Sequence, residues 1–179
     1  MKPTYIETSR LKLRIFTPEI QKYIFEHFSD KELMEYHGFK EITELEREKE
    51  KYEGGYTTYR TSFLSFHLIR KDNNQLIGYG GYHNWFAEHQ RSEIGYHIID
   101  EKDKGQGFMS EAITAIIKYG FEEMKLNRIE AWVSPMNIPS LAIMKKFNFT
   151  QEGLLKQHWL VDGKLDDSAI FALLKEDYR

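Results

Sequence analysis

The chain has 179 residues, and its composition limits the classes of protein to which it can belong. Hydrophobic residues make up 41% and charged residues 30%, as is ordinary for a globular protein with a buried core. The net charge of −3 lacks the basic excess typical of nucleic-acid binding. The absence of cysteine excludes disulfides, thiolate catalysis and cysteine-bound metals. No apolar run reaches the roughly 18 residues of a membrane span, and no signal peptide is evident, so we expect a cytoplasmic protein.

The first half of the chain predicts two helices and three strands. Alternating apolar residues predict a strand over 11–15, and an amphipathic helix begins at Pro18. Thr43 and Glu46 have the spacing of a capping box ahead of a second, highly charged helix. Two apolar runs separated by an Asp-Asn-Asn turn predict a hairpin, with strands over 63–69 and 76–82.

A strand, a glycine-containing turn and a long helix follow. The strand is predicted over 93–99, and a helix with one apolar stripe runs from Met109 to Met124. Between them, residues 102–107 read Lys-Asp-Lys-Gly-Gln-Gly. Free backbone N–H groups and the helix dipole meet at such a turn, which favours an anion such as a phosphate. The alternative is a tight turn that needs glycine only for its positive φ.

Two common phosphate loops do not match this turn. A Rossmann fingerprint requires a third glycine where Ser110 stands, and a P-loop requires a Gly-Lys-Ser/Thr ending that the turn lacks. The rest of the chain predicts one further helix and three strands, with the helix over 137–147 and the strands over 128–134, 154–161 and 168–174. We therefore predict an α/β fold in one domain over 1–179, with four helices and a mostly antiparallel sheet of about seven strands.

Four segments, in this order along the chain, carry a family resemblance. They read ETSRLKLRIFTPE, SEIGYHIIDEKDKGQGFMSEA, IEAWVSPMNIPSLAIMKKFNFTQEG and DGKLDDSAIFALLKEDY. Together they resemble the GNAT superfamily of N-acetyltransferases, and more narrowly the branch of the ribosomal-protein alanine N-acetyltransferases. The resemblance covers nearly the whole chain and implies the GNAT fold, in which the fourth and fifth strands of the sheet splay apart.

The resemblance implies acetyl-CoA as cosubstrate and no metal. In the family, the end of the fourth strand pairs with the pantetheine arm, the loop amides bind the pyrophosphate, and an asparagine hydrogen-bonds the pantetheine near the thioester. Carried over to this chain, these positions are His97, Ile98, Ile99, Lys104, Gly105, Gln106, Gly107, Phe108, Met109 and Asn137. Two positions depart from the family pattern. Lys102 stands where Gln or Arg is common, and Asn148 replaces a glycine whose left-handed conformation asparagine tolerates.

Acetyl transfer to an amine needs a neutral nucleophile and a proton for the leaving thiolate. Many superfamily members use a tyrosine as the acid, but the matching position here is Met144. Ser140 is then the candidate acid, and Glu93 is the candidate base, acting directly or through water. Each has a structural alternative, a helix-cap contact for Ser140 and solvent or an ion pair for Glu93. Glu111 is interpreted as a structural residue that favours the helix dipole.

Histidine and aromatic side chains are two further groups that bear on the site. His83, His89 and His97 lack the spacing and accompanying carboxylates of a metal site, which favours isolated surface or core histidines. Several aromatic side chains either line the acceptor site or pack in the core, namely Tyr52, Tyr56, Tyr59, Trp85, Phe86 and Trp159.

The sequence thus predicts an enzyme that moves acetyl from acetyl-CoA directly to a primary amine. The acceptor is a protein N-terminal alanine or serine, or a small amine. The alternative is a catalytically silent acyl-CoA-binding sensor that keeps the loop and Asn137 but does not use Glu93 or Ser140. We expect no nucleic-acid or membrane partner. The family often forms dimers, so a homodimer is an open expectation.

Overall fold

The computed structural model describes residues 3–55 and 62–178. Within these ranges one eight-stranded sheet has the order β1-β2-β3-β4-β5-β6-β8-β7. The strands are β1 (Tyr5–Glu7), β2 (Leu11–Phe16), β3 (Ser62–Arg70), β4 (Leu76–Phe86), β5 (Arg91–Ile98), β6 (Arg128–Val133), β7 (Thr150–Val161) and β8 (Lys164–Leu174). The α-helices are α1 (Pro18–His27), α2 (Asp30–His37), α3 (Ile42–Gly54), α4 (Phe108–Glu122) and α5 (Ile138–Lys146).

Every predicted strand and helix is present, and the structure adds one of each. Strand β1 has three residues, too few for a readable alternation. Helix α2 begins with a capping box, in which the Glu32 carboxylate accepts the Ser29 backbone N–H at 2.8 Å and the Ser29 hydroxyl accepts the Glu32 N–H. That Ser-x-x-Glu spacing was a usable signal in the sequence.

The cap of α3 differs from the prediction. The Glu44 carboxylate accepts the backbone N–H groups of Lys40 at 2.7 Å and Glu41 at 2.9 Å. The helix therefore begins at Ile42, with Glu41 as its N-cap. The predicted capping box of Thr43 and Glu46 is wrong because both residues already lie inside the helix.

One pair of strands determines the shape of the sheet. Strands β5 and β6 run parallel, and their register covers only Arg91↔Arg128, Ser92↔Ile129 and Glu93↔Glu130. The other neighbouring strands pair antiparallel. Beyond Glu93 the edge of β5 that faces β6 has no strand partner in the part of the chain that the structure describes. The predicted splay of these two strands is confirmed.

Helix α4 packs firmly over the sheet beside this opening. Ala112, Ile113, Ile116 and Ile117 have no exposed surface. A Cβ at Gly120 would lie 2.2 Å from the Tyr82 hydroxyl, so only glycine fits at this crossing. Such burial fixes the helix and directs its N-terminus toward the end of β5.

Glu111 ties the first turn of α4 to the N-terminal segment. Its carboxylate accepts the Thr8 hydroxyl and the Arg10 backbone N–H, both at 2.6 Å, and the Arg10 Nε–H at 2.7 Å. Arg10 also donates to the Gln106 carbonyl at 3.0 Å. These contacts agree with the structural interpretation of Glu111.

We expect Glu111→Gln to lower the free energy of unfolding at neutral pH by about 1–3 kcal/mol, as for lost hydrogen bonds to a charged acceptor. Burial tends to raise the pKa of Glu111, but hydrogen bonds from Thr8 and Arg10 outweigh it and hold the pKa below its ordinary value. This stabilisation is therefore present above the ordinary carboxyl pKa and is lost as the pH falls.

Urea unfolding of the wild type and of Glu111→Gln measures this loss of stability. Glu123→Gln is the control, because Glu123 has no ion pair among the described residues. The stability difference should be smaller at about pH 3 than at about pH 7. An equal difference at both pH values would show that the charge of Glu111 is not responsible.

Candidate functional site

The turn between β5 and α4 requires its glycines. One turn of 3₁₀-helix ends at Asp103, which is buried and accepts the Arg70 guanidinium at 3.1 Å. Gly105 and Gly107 follow with φ of 69° and 80°, a left-handed conformation that favours glycine. Gly107 is the N-cap of α4. The backbone of the turn thus leads directly into the first turn of α4.

This turn carries a run of backbone donors. Gly105, Gln106 and Gly107 donate no backbone hydrogen bond to any described residue. The N–H groups of the first helical turn, from Phe108 onward, have no acceptor within the helix. The Lys104 N–H differs from the prediction because it donates to the Glu101 carbonyl at 3.1 Å. The available donors therefore begin at Gly105.

A cavity of about 570 Å³, the loop cavity, lies between this turn, the end of β5 and α5. Most of the predicted site residues line it, namely His97, Ile98, Lys104, Gly105, Gly107, Phe108, Met109, Asn137 and Ser140. Ile99 and Gln106 do not. The Ile99 N–H donates to the Ile77 carbonyl at 2.9 Å, which leaves only its carbonyl for a ligand.

The oxygen of the Asn137 side-chain amide is already hydrogen-bonded within the protein. Its Oδ1 accepts the Ser140 backbone N–H at 3.1 Å, as an N-cap does, and Pro139 stands in the first turn of α5. The Nδ2 group donates to no described residue. Asn137 can therefore cap the helix and donate a hydrogen bond into the loop cavity at the same time. At the other end of this helix, Asn148 has a φ of 58°, as its replacement of glycine requires.

Tyr96 is a site residue that the sequence analysis missed. It lines the loop cavity, and its hydroxyl is buried without a hydrogen-bond partner of good geometry among the described residues. Burial raises the pKa of Tyr96, and the Ser140 side chain offsets part of that rise. Alternation with the buried Ile94 marks Tyr96 as a core position, so periodicity alone does not identify it.

A second cavity, of about 320 Å³, lies over β3, β4 and β5, and we call it the strand cavity. Tyr96 and His97 line both this cavity and the loop cavity. The two cavities therefore meet at the part of β5 that has separated from β6. This edge of β5 therefore borders both cavities.

Glu93 stands beside the strand cavity without lining it. Its Oε2 accepts the Asn84 Nδ2–H at 3.1 Å and lies 3.3 Å from the His83 Nε2. Only 12% of the Glu93 side chain is exposed, whereas His83 is half exposed and lines the cavity. The partner of Glu93 is therefore a histidine, and this contact is an ion pair only when the imidazole is protonated.

A third cavity, of about 420 Å³, continues from the strand cavity toward α2 and α3, and we call it the outer cavity. It reaches the buried His37 and His67. Burial, with the charges of Arg14 and Lys51, lowers the pKa of His37 to about 4, so this ring is neutral at neutral pH. The outer cavity therefore ends in uncharged imidazoles.

Four of the six aromatic residues suggested for the acceptor wall lie away from the strand cavity and the outer cavity. Tyr56 and Tyr59 lie outside the described residues, while Tyr52, Trp85, Phe86 and Trp159 line neither the strand cavity nor the outer cavity. Tyr52 instead stacks on Phe25 at 4.4 Å. The strand cavity takes its aromatic walls from Phe16, Phe63, Tyr79, Tyr82 and Tyr96.

Neither a metal cluster nor a membrane helix is found in the described ranges. No group of three or more His, Asp or Glu side chains there is arranged to hold a metal ion. None of the helices in the same ranges is long and apolar enough to cross a membrane.

A helix N-terminus beside two splayed strands, with cavities that border the opening, is the arrangement that the family resemblance predicts for an acyltransferase. Comparison with known proteins agrees. The chain belongs to the acetyltransferase (GNAT) domain family, which matches residues 10–150. Members of this family are N-acetyltransferases that use acetyl-CoA, as the sequence predicted.

Individual relatives cover much of the chain. It is 33% identical over 172 residues to the uncharacterised N-acetyltransferase p20 of Bacillus licheniformis, with 96% of each chain covered. A solved acetyltransferase (GNAT family) from Bacillus anthracis is 30% identical, with a TM-score of 0.67 over 97% of this chain and 99% of that one. The ribosomal protein uS5-alanine N-acetyltransferase of Escherichia coli is 31% identical over 118 residues, 65% of this chain and 60% of that protein. The resemblance to the ribosomal-protein branch is confirmed.

Asn137 offers a test that separates its two contacts. We expect Asn137→Ala to lose about 1 kcal/mol of stability with its cap and to bind acetyl-CoA more weakly. Asn137→Asp keeps the oxygen that caps α5 but has no amide donor. It should retain wild-type stability and bind acetyl-CoA roughly five- to tenfold more weakly, as for one lost hydrogen bond.

Thermal unfolding and calorimetric titration with acetyl-CoA measure the two effects. Wild-type affinity in Asn137→Asp would show that the Asn137 amide is only a helix cap.

Proposed function

We propose that residues 1–179 form one domain that transfers acetyl from acetyl-CoA to the primary amine of a second substrate. The observation that carries this proposal is the meeting of the loop cavity and the strand cavity at Tyr96 and His97. In this arrangement acetyl-CoA occupies the loop cavity, and the acceptor approaches from the strand cavity. The thioester then lies where β5 and β6 separate.

The backbone binds most of the cosubstrate. The amides from Gly105 to Met109 hold the pyrophosphate, supported by the dipole of α4. The free edge of β5 at His97 and Ile98 pairs with the amides of pantetheine as an added strand would. Asn137 donates its Nδ2–H to the same arm. No metal is needed for this binding, and a metal-free enzyme stays a prediction.

We assign proton transfer to two side chains. Ser140 lines the loop cavity beside Asn137 and can give its hydroxyl proton to the thiolate that leaves. Glu93 takes part in removing the proton from the acceptor amine. Its carboxylate reaches the acceptor only through another group because it does not line the strand cavity. This division agrees with the sequence, where Met144 replaces the usual tyrosine acid.

The charges that line the outer cavity indicate which class of amine fits as the acceptor. Among the described residues, Lys40, Arg47 and Lys51 line it together with two carboxylates, those of Glu44 and Glu48. This lining does not favour a polycation. A terminal α-amine has a pKa of about 8, against about 10.4 for a lysine-type amine, and so needs less help from a base. We therefore propose a peptide N-terminal alanine or serine as the acceptor, in keeping with the E. coli relative.

A screen of acceptors with acetyl-CoA tests this function. Peptides with N-terminal Ala or Ser, polyamines and aminoglycosides are compared by release of CoA. We expect turnover with the peptides and little with polyamines. Tight binding of acetyl-CoA without turnover on any amine would favour the silent sensor instead. A cytoplasmic location and a homodimer stay predictions.

Ser140→Ala tests the proposed acid. The variant should bind acetyl-CoA normally and lose about 10²- to 10⁴-fold in kcat, the usual contribution of a general acid. Ser134→Ala is the control, since the Ser134 hydroxyl accepts the Met136 backbone N–H and lines none of the three cavities. Unchanged kcat in Ser140→Ala would remove this residue from the reaction.

A further inference from the structure

We propose that His83 is the catalytic base of this site and that Glu93 positions it. The inference rests on the proposed acetyl transfer and adds a residue that had been interpreted as an isolated histidine. His83 lines the strand cavity, where the acceptor amine arrives, and its Nε2 lies 3.3 Å from the Glu93 Oε2.

The sheet places the imidazole beside the reaction centre. His83 and Glu93 are directly opposed on β4 and β5, so their side chains share one face of the sheet. Gly95 is the next residue of β5 on that face. A Cβ there would lie 2.9 Å from the His83 Cε1 and 3.3 Å from its Nδ1. The ring therefore extends over Gly95, toward Tyr96 and His97 where the two cavities meet.

The backbone just after His83 contains a β-bulge. The register of β4 and β5 shifts between His83 and Phe86, and Asn84 takes a left-handed φ of 48°. Such bulges are known to redirect side chains near active sites. Here the bulge brings the Asn84 Nδ2–H to the Glu93 Oε2 at 3.1 Å. The carboxylate is thus held by the amide while it faces the imidazole.

The contact with Glu93 gives the two ring nitrogens of His83 different roles. A carboxylate beside Nε2 favours the tautomer with its proton on Nε2, which leaves the lone pair on Nδ1. Nδ1 is the nitrogen that lies over Gly95. The same carboxylate stabilises the imidazolium once Nδ1 has taken a proton.

Few other charges face His83. Across the strand cavity stand Glu48 and Lys51 of α3, which pair with each other at 3.3 Å. His97 of β5 also lines the cavity, and burial, with Lys104 and Lys51, lowers the pKa of its ring. The other titratable groups among the described residues that line this cavity are Tyr79, Tyr82 and Tyr96, whose pKa values burial raises. Glu93 is therefore the only charged group in direct contact with His83 among the described residues.

The protons balance through this pair. Nδ1 of His83 takes one proton from the acceptor ammonium, and the neutral amine attacks the thioester carbonyl carbon. A C–N bond forms and the C–S bond breaks. The amine nitrogen then gives its second proton to the Ser140 oxygen. That proton replaces the one that the Ser140 hydroxyl has given to the CoA sulfur. His83 then returns its proton to water, since about half of its side chain is exposed (49%).

Variants of both residues test the proposal on the most active peptide of the screen. His83→Gln should lower kcat/KM for the peptide by about 10²- to 10⁴-fold at neutral pH, without changing the affinity for acetyl-CoA. The loss should shrink at higher pH, where the free amine needs no base. Glu93→Gln should cost less, and the double variant should be no worse than His83→Gln alone.

Two controls separate catalysis from structure. His89→Gln changes another exposed histidine of the β4–β5 connection, which lines neither cavity, and should leave kcat/KM unchanged. In His83→Ala, added imidazole should restore part of the activity.

The outcomes that oppose the proposal are distinct. Full activity in His83→Gln overturns the role of His83 and leaves the proposed function intact. A loss that is the same at every pH and is not rescued by imidazole shows a structural role and also overturns it. If the wild type binds acetyl-CoA and acetylates no amine, the proposed function fails, and the role of His83 fails with it.

Discussion

The short parallel pairing of β5 with β6 is the constraint on which the rest of the structure depends. Three residue pairs join these strands, ending at Glu93 and Glu130. Continued pairing would close the sheet and satisfy the backbone of β5 internally. Because it stops, the edge of β5 beyond Glu93 keeps its hydrogen-bonding groups for a ligand. The loop cavity and the strand cavity meet at this edge.

An open edge is useful only if its surroundings are rigid. Helix α4 provides this rigidity through a stripe of fully buried side chains and the close contact of Gly120 with Tyr82. Glu111 and Arg10 then tie the first helical turn and the preceding loop to the N-terminal segment. The donors of the loop are thus held at a fixed distance from the edge of β5. Binding of a CoA thioester requires little rearrangement of such a frame.

Much of the fold and of the cofactor side follows from local sequence. The glycines at 105 and 107 and the apolar stripe of α4 are determined by neighbours along the chain, and each is found as expected. Very short or unexpectedly capped elements, such as β1 and the start of α3, were missed or misplaced because a few residues carry little periodicity.

The contacts of the groups proposed for proton transfer were less predictable. The partner of Glu93 comes from the opposite strand, and its contact depends on a bulge that periodicity does not reveal. Tyr96 alternates like a core residue although its hydroxyl lies beside Ser140. The commitment of the Lys104 N–H to Glu101 likewise follows from a 3₁₀ turn that spacing does not encode. Cross-strand contacts of this kind require the assembled sheet.

The most direct test of the account is an NMR titration of the ¹⁵N-labelled protein with acetyl-CoA. The central claim is that the backbone donors from Gly105 to Met109 bind the pyrophosphate. The amide signals of Gly105 and Gly107 should then shift strongly with saturation, while the hairpin glycine Gly163 should not. Saturable binding that leaves Gly105 and Gly107 unshifted would contradict the account, because acetyl-CoA would then be held elsewhere.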